Sequence, residues 1–422
     1  KYKTPSYFLI LIFVCYYWSI GGKTMKLRYK YRIYPNAEQK ELLAKTFGCC
    51  RVVWNDALAI FKSEGMVKGV DKRVITQAKK TEERAWLSEV SNIALQQSYR
   101  DLDLAYRQFF ASLKGKRKGK KLGSPRFKRK ESRQSYTLTR NGFSIHPQSI
   151  KLAKMGHVKI VWSRELPSEP SSVTIIKDTT DRYYASFVVE VEDNIPAIAP
   201  NESVGIDLGL THFAILSTGE KIENPRLHKK QLKRIKKASQ QLNRCKKDSN
   251  RRKAAKLRLA KIHAKVKDAR TDFNHKLTTR LVRDNQAIAI EDLNVSGMVK
   301  NRKLSRAISD AGWYSFRQML TAKCDRYNRQ LVIVDRWEAT SQKCSNCGFK
   351  GGKKELNVRE WQCLNCGVHH DRDVNAAKNI EQWAVGHTDQ DKNGQSRANK
   401  TTLVAKSVDS AKHLSYSQLS LF

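Results

Sequence analysis

No stretch of this chain is both long enough and apolar enough to cross a bilayer. The longest apolar run, Tyr7 to Ile20 (YFLILIFVCYYWSI), has fourteen residues, whereas a spanning helix needs about 20. Lys1 and Lys3 precede it as in a secretory signal, but no A-x-A-like cleavage site follows. Met25 opens an orderly basic segment, KLRYKYRIYP, so residues 1–24 are expected to be a non-native or disordered extension. No stable membrane association is expected. Acidic residues are scarce: 40 stand against 81 Lys and Arg, for a net charge of +41. Such an excess calls for a polyanionic partner. Nucleic acid is the first candidate, because its phosphates release counterions when they meet Lys and Arg. A disulfide framework is also missing. Of nine cysteines, Cys15, Cys49, Cys50, Cys245 and Cys324 show no pairing pattern, which implies a reducing, cytoplasmic setting.

The other four cysteines form two Cys-x-x-Cys pairs, Cys344/Cys347 and Cys363/Cys366, with fifteen residues between them. Two short pairs on tight turns close a tetrahedral four-thiolate site, and zinc is the expected ion. Beyond them lies His370-Asp-Arg-Asp-Val-Asn-Ala-Ala-Lys-Asn-Ile. Asp207 closes an apolar segment, Val204-Gly-Ile-Asp, and Glu291 closes another, Ile288-Ala-Ile-Glu, while Asp373 opens a helical pattern. A carboxylate at the end of a buried strand needs a cation or hydrogen bonds to offset its burial. Three from distant segments can converge on hard divalent ions, of which magnesium prefers oxygen ligands. Two such ions can activate water and stabilise the leaving oxygen of a phosphodiester. Each acid also has a plainer reading as a turn former or helix cap, and Asp292 and Asp371 compete with Glu291 and Asp373.

With 422 residues and 40% apolar content, two or three domains are expected. Lys26 to Tyr34 alternates like a strand, with Leu27, Tyr29, Tyr31 and Ile33 on one face. Asn36 and Gln39 then mark a helix start. Helices are expected to about Lys62 and from Asn92 to Leu113, and short strands from Tyr136 to Val191 suggest a small barrel. The run 114–133 holds eleven basic residues and one acid. It reads as a solvated linker or as a phosphate-tracking loop, with Phe127 and Tyr136 as candidate stacking rings. The run 229–267 holds seventeen basic residues and one acid, on the pattern of a helical pair. A hairpin at 204–219, a strand at 287–293, a helix at 313–327 and a strand at 330–334 complete the pattern. With acids at these points, this is the layout of the RNase H-like fold.

These residues resemble a known family. Cys344-Ser-Asn-Cys-Gly, then Arg359-Glu-Trp-Gln-Cys-Leu-Asn-Cys-Gly, then the Asp-Val-Asn-Ala-Ala-Lys-Asn-Ile stretch are similar to the C-terminal signature of TnpB (OrfB), insertion-sequence proteins related to type V CRISPR effectors. Arg32-Ile-Tyr-Pro and Pro125-Arg-Phe-Lys resemble its earlier elements, and the likeness spans about residues 25–385. It implies an RNA-guided DNA endonuclease with an α+β multidomain fold. The expected parts are a wedge-type barrel (25–35 and 114–200), a helical recognition block (36–113) and a RuvC-like domain (201–340 and 368–385). A zinc-ribbon target-nucleic-acid-binding insertion (341–367) and a mobile tail (386–422) complete it. Guide RNA and target DNA are the implied partners, with zinc structural and magnesium catalytic. By motif position Asp207, Glu291 and Asp373 match the family's RuvC acids, and the acid two residues before the Asn selects Asp373 over Asp371. Two other readings stay open: a transposase acting directly on element ends, against which no His-x-His motif occurs in the chain, and a catalytically silent RNA-guided binder.

Overall fold

Strand β1 (Thr24–Tyr34) alternates basic and apolar residues, and the alternation sends Tyr31 and Ile33 into a core where each is 1% exposed. Helix α1 (Ala37–Ser63) starts where a reciprocal capping box predicts. Gln39 N–H donates to Asn36 Oδ1 at 2.8 Å, and Asn36 N–H donates to Gln39 Oε1 at 3.1 Å. The computed structural model describes residues 24–63, 75, 78–117, 121–130, 133–192, 198–355 and 357–390. The expectations for residues 1–23, for Cys15 and for the chain beyond 390 lie outside the described residues. Among the described residues no helix is long and apolar enough to cross a membrane.

The chain divides into two compact units. One contains the chain to residue 194 and the segment 238–261. Its β1 is joined by β2 (Gln134–Thr139), β3 (Phe143–Ile145), β4 (Ser149–Leu152), β5 (Gly156–Val161), β6 (Ser172–Lys177) and β7 (Tyr183–Glu192). Together they form a seven-stranded antiparallel sheet, ordered β2-β6-β7-β1-β5-β4-β3, that makes a nearly closed barrel. Tyr31, Phe187, Ile150 and Val173 fill it. Between β1 and β2 the chain inserts α1 and α2 (Asn92–Leu113), which pack together through Trp54, Leu58, Phe61, Leu102 and Tyr106. β4 has no sequence signal of its own, because four residues give too short an alternation to register.

The other unit holds 195–237 and the chain from 262. Its sheet has the order β10-β9-β8-β11-β12, built from β8 (Asn201–Asp207), β9 (His212–Leu216), β10 (Lys221–Glu223), β11 (Asn285–Glu291) and β12 (Gln330–Val334). The first three strands run antiparallel, whereas β11 lies parallel to both β8 and β12. Helices cover both faces, as parallel strands require. On one side Val204, Ile206 and Ile290 pack with Leu277, Leu281, Trp313 and Phe316 from α4 (Asn250–Asp284) and α7 (Trp313–Arg326). On the other, Ala289, Val332 and Val334 pack with Ile380 and Ala384 of α8 (Arg372–Gln390).

The basic run after β10 is two helices, α3 (Leu227–Arg244) and α4. α4 is longer than expected and feeds directly into β11, because an apolar face of Leu277, Leu281 and Val282 carries it onto the sheet. Asp310, in α6 (Ser305–Ala311), caps α3 by accepting the N–H groups of His228 at 2.8 Å and Lys229 at 3.2 Å. α8 runs to Gln390, past the expected domain end at 385. A small hairpin, β13 (Glu360–Gln362) and β14 (His369–Asp371), leads into α8. The short α5 (Val295–Met298) follows β11.

Candidate functional site

Asp207 is the last residue of β8 and Glu291 the last of β11, so two adjacent parallel strands end side by side in carboxylates. Asp373 lies in the first turn of α8, which packs over β8. The approach of helix to strand depends on one small residue. A side chain at Gly205 would place its Cβ 2.1 Å from the Ala377 carbonyl oxygen and 2.7 Å from the Glu381 amide nitrogen. Ser203 then ties the two elements, donating to Glu381 Oε1 at 2.7 Å.

Burial pushes the Asp207 carboxyl up to about 8, and the nearby charges of Glu291 and Asp373 push the same way. Burial also raises Glu291, against the pull of a hydrogen bond that Thr340 Oγ1 donates to its Oε1 at 2.8 Å. Arg372 pulls the other way on Asp207, and Arg359 pairs with Asp373, with 3.5 Å between Nη1 and Oδ2.

The competing acids are committed elsewhere. Asp292 receives Arg317 Nη1 at 2.6 Å and a second guanidinium from Arg336. Burial works against its charge, but these bonds outweigh burial and hold the carboxyl below its usual range. Asp371 accepts the N–H groups of Asp373 and Val374 at 3.0 Å each and pairs with Lys221 at 2.6 Å. There too the bonds outweigh burial and lower the carboxyl. Asp371, not Asp373, is therefore the cap of α8.

The four cysteines come together. All four sulfurs lie within 4.8 Å of one another, the one such group of potential metal ligands among the described residues. Cys344–Cys366 and Cys347–Cys363 are separated by 3.7 and 3.6 Å. A tetrahedral zinc with bonds of about 2.3 Å sets its sulfurs about 3.8 Å apart, so this geometry fits that ion. The two turns are copies of each other. Gly348 N–H donates to Cys344 O and Gly367 N–H to Cys363 O, each at 2.9 Å. The glycines adopt φ of 76° and 71°, where a side chain is strained. Each turn also sends an amide to the other: Asn365 Nδ2 reaches Cys347 Sγ at 3.5 Å and Asn346 Nδ2 reaches Cys366 Sγ at 3.7 Å.

This cysteine module is fastened to the helix that carries Asp373. Asn375 accepts Ser345 N–H and donates to Lys343 O, both at 2.8 Å. Asn379 donates to Thr340 O and Lys343 O at 2.7 Å each, and Gln382 donates to Ser345 O at 2.7 Å. The Asn-Ala-Ala-Lys-Asn stretch thus has a physical reading. Its asparagines, four apart, share one helix face and grip the module, while Ala377 lets β8 approach. That i, i+4 spacing was visible in the sequence. Thr340 carried no sequence signal of its own.

Of the two candidate stacking rings beside the first basic run, only one is available. Tyr136 is 6% exposed and packs in the barrel core against Phe47, which rules it out as a base platform. Phe127 is half-exposed beneath Lys62 Nζ, 4.7 Å from the ring centre. The loop is docked on α1 rather than loosely solvated: Trp54 Nε1 donates to Arg126 O at 3.0 Å, and Asn55 and Lys128 exchange two bonds of 3.1 and 2.8 Å. Along α3 and α4 the residues spaced for one apolar edge are covered to different degrees, Leu232, Ile235, Leu242, Leu259 and Ile262 partly and Val266 fully, and most Lys and Arg side chains stay exposed.

Three family models match the chain: "Probable transposase" over residues 186–302, "Cas12f1-like, TNB domain" over 313–380, and "Helix-turn-helix domain" over 25–64. The last of these spans a strand and one helix, β1 and α1. A Streptomyces pristinaespiralis protein named "Putative RNA-guided DNA endonuclease" is 46% identical over 372 residues, covering 84% of this chain and 89% of its own. The Escherichia coli K12 protein InsQ, with the same description, is 29% identical and covers 85% and 92%. The solved Cas12f1–sgRNA–target DNA complex matches with a TM-score of 0.53 and 11% identity, over 85% of this chain and 98% of that one. That likeness bears on the fold, which is mixed α/β in both. The relationship to the Streptomyces protein, over most of both chains, carries the assignment: this chain belongs to the TnpB (OrfB) family of insertion-sequence proteins.

Proposed function

We propose that this protein is an RNA-guided DNA endonuclease whose cutting site is formed by Asp207, Glu291 and Asp373. One observation carries the reading: Glu291 and Asp373, from separate elements, lie near enough to Asp207 to join burial in driving its carboxyl to about 8, although the three carboxylates are not gathered within 4.8 Å as the cysteine sulfurs are. Burial and the neighbouring acids outweigh the pull of Arg372 on Asp207, an imbalance that a divalent metal would relieve, and perturbed acids gather at functional sites. Magnesium suits the all-oxygen donor set, and when bound it supplies an activated water and charge for the leaving oxygen. The chain's own residues do the rest. Thr340 fixes one oxygen of Glu291, and Asp371 caps α8, whose first turn carries Asp373. Arg359, beside Asp373, is placed to meet a phosphate oxygen. The sheet order, three antiparallel strands followed by two parallel ones, supports an RNase H-like, RuvC-type domain. The cysteine module would hold zinc through Cys344, Cys347, Cys363 and Cys366 as a target-binding ribbon. The exposed basic faces of α3 and α4 suit guide RNA and target DNA phosphates. In this reading the barrel and helical block serve as wedge and recognition regions, and the nuclease domain extends past residue 385 to the end of α8 at Gln390.

The test is cleavage by protein purified with its co-purifying RNA, sequenced to define the guide. With magnesium, it should cut DNA that carries a guide match. Asp207→Ala, Glu291→Ala and Asp373→Ala should each lose cutting by orders of magnitude while keeping guide and target binding. Asp371→Ala should be milder. If all four cut like the parent, the reading fails. If Asp371→Ala is dead and Asp373→Ala active, the third acid is wrong.

A further inference from the structure

The turn between β12 and the first cysteine pair displays a ring that neither the fold nor the chemistry above uses. Trp337 is 86% exposed, against 37% for Trp86. An indole left in water forgoes the stabilisation its large apolar area gains on burial. Its backbone is nevertheless held firmly. Trp337 N–H donates to Asp335 Oδ1 at 2.9 Å, Glu338 N–H donates to Asp335 O at 3.1 Å, and Thr340 N–H donates to Glu338 O at 2.9 Å.

The placement is what matters. Val334, three residues before the tryptophan, is the register partner of Glu291 in the parallel pair. Thr340, three residues after it, donates to the Glu291 carboxylate. Three residues reach at most about 11 Å, so the ring is anchored on both sides to residues that touch one of the site's acids. Two guanidiniums belong to the same corner. Arg336 adjoins the ring in sequence and binds Asp292, the neighbour of Glu291, and Arg317 binds the other oxygen of Asp292. An exposed ring next to fixed cations is the pairing that single strands use: bases stack on the ring while phosphates meet the charges.

Resting on the nuclease reading above, we propose that Trp337 is a stacking platform for an unpaired nucleobase of the DNA strand entering the carboxylate site. Arg336 and Arg317 meet the flanking phosphates. The base it holds therefore lies a few nucleotides from the cut, at a position that a scan along the strand locates.

The experiment uses the full-length, guide-loaded protein with magnesium and target DNAs bearing a single abasic nucleotide at successive positions around the cut. In the parent, one position should slow single-turnover cleavage about tenfold, the scale of one lost stack. Trp337→Ala should be about tenfold slow on intact DNA and show no further loss at that position. Trp337→Phe should recover most of the rate. An abasic profile in Trp337→Ala like that of the parent overturns the proposal, as does a Phe variant no better than Ala. A second measurement separates this from the catalytic reading. In Asp207→Ala complexes, 2-aminopurine at that position should be quenched with Trp337 and bright with Trp337→Ala. If Asp207→Ala still cuts, the catalytic reading fails. If it does not cut and the probe is bright whichever residue stands at 337, the stacking proposal alone fails.

Discussion

The two sheets treat an aspartate at a strand end in opposite ways. In the barrel, Asp178 follows β6 and is saturated. It accepts Thr180 N–H at 2.8 Å, Thr180 Oγ1 at 2.6 Å, Arg182 N–H at 2.9 Å and Arg182 Nε at 2.7 Å. Partial burial opposes its charge, yet these bonds win and the carboxyl falls below its usual range. In the five-stranded sheet Asp207 ends β8 with acids for neighbours, and its carboxyl rises to about 8. The residue type is the same and the positions differ by one, Asp178 just past its strand and Asp207 last in its own, so an aspartate at a strand end does not by itself mark function. The difference lies in whether the chain itself supplies the compensating donors. At Asp178 the donors outweigh burial and the acid builds a turn; at Asp207 the Leu208 N–H and Arg372 do not outweigh burial and the neighbouring acids.

The sharpest way to break the contrast is to neutralise each acid. Asp207→Asn should abolish guide-dependent cutting by orders of magnitude while leaving the melting temperature equal or higher, because it removes a strained buried carboxyl. A large loss of stability in that variant would mean Asp207 is structural after all. Next in size, Cys344→Ser should release zinc, measured by metal analysis, and unfold residues 340–370, since structural zinc supplies roughly 10 kcal/mol or more to such modules. Because Asn375 and Asn379 fasten that module to α8, cutting should fall with it, whereas the barrel's transition should not move. Asp178→Asn should do the reverse of Asp207→Asn. It should cost about 1–3 kcal/mol in denaturant unfolding, the scale of a broken buried network, and leave cutting by the folded protein intact. A last effect is on pH dependence without divalent metal. From the ordinary carboxylate range up to about 8, folded Asp207 keeps a proton that the unfolded chain has released, so stability should decline as pH rises through that window. Chemical denaturation across pH should show the decline in the parent and a flatter curve in Asp207→Asn.

Much of this was readable because strands that end in a carboxylate stand out in sequence. Val204-Gly-Ile-Asp and Ile288-Ala-Ile-Glu are apolar to the last residue, so a charge there is conspicuous. The cysteine spacing was equally plain. The partner of each acid was not, because hydrogen bonds such as Thr340 to Glu291 join residues 49 apart in sequence. Nor could alternation say which way Tyr136 points; an aromatic beside a basic run looks the same whether it faces a ligand or a core. β10 has three residues and β4 four, too few for a period to register. α4 kept going because packing, not propensity, sets where a helix stops.

Gly205 has a consequence beyond the fold. The gap between strand and helix is set by an absent side chain, so the reach from Asp207 to Asp373 has no slack to absorb a wedge. A methyl group there is a shim: it would widen the seam while leaving every acid and every cysteine in the chain unchanged. A damaged copy could therefore keep its whole signature motif and still be out of tune. Counting intact acids is then a poor census of working copies, and the residue to inspect first is the one with no chemistry at all.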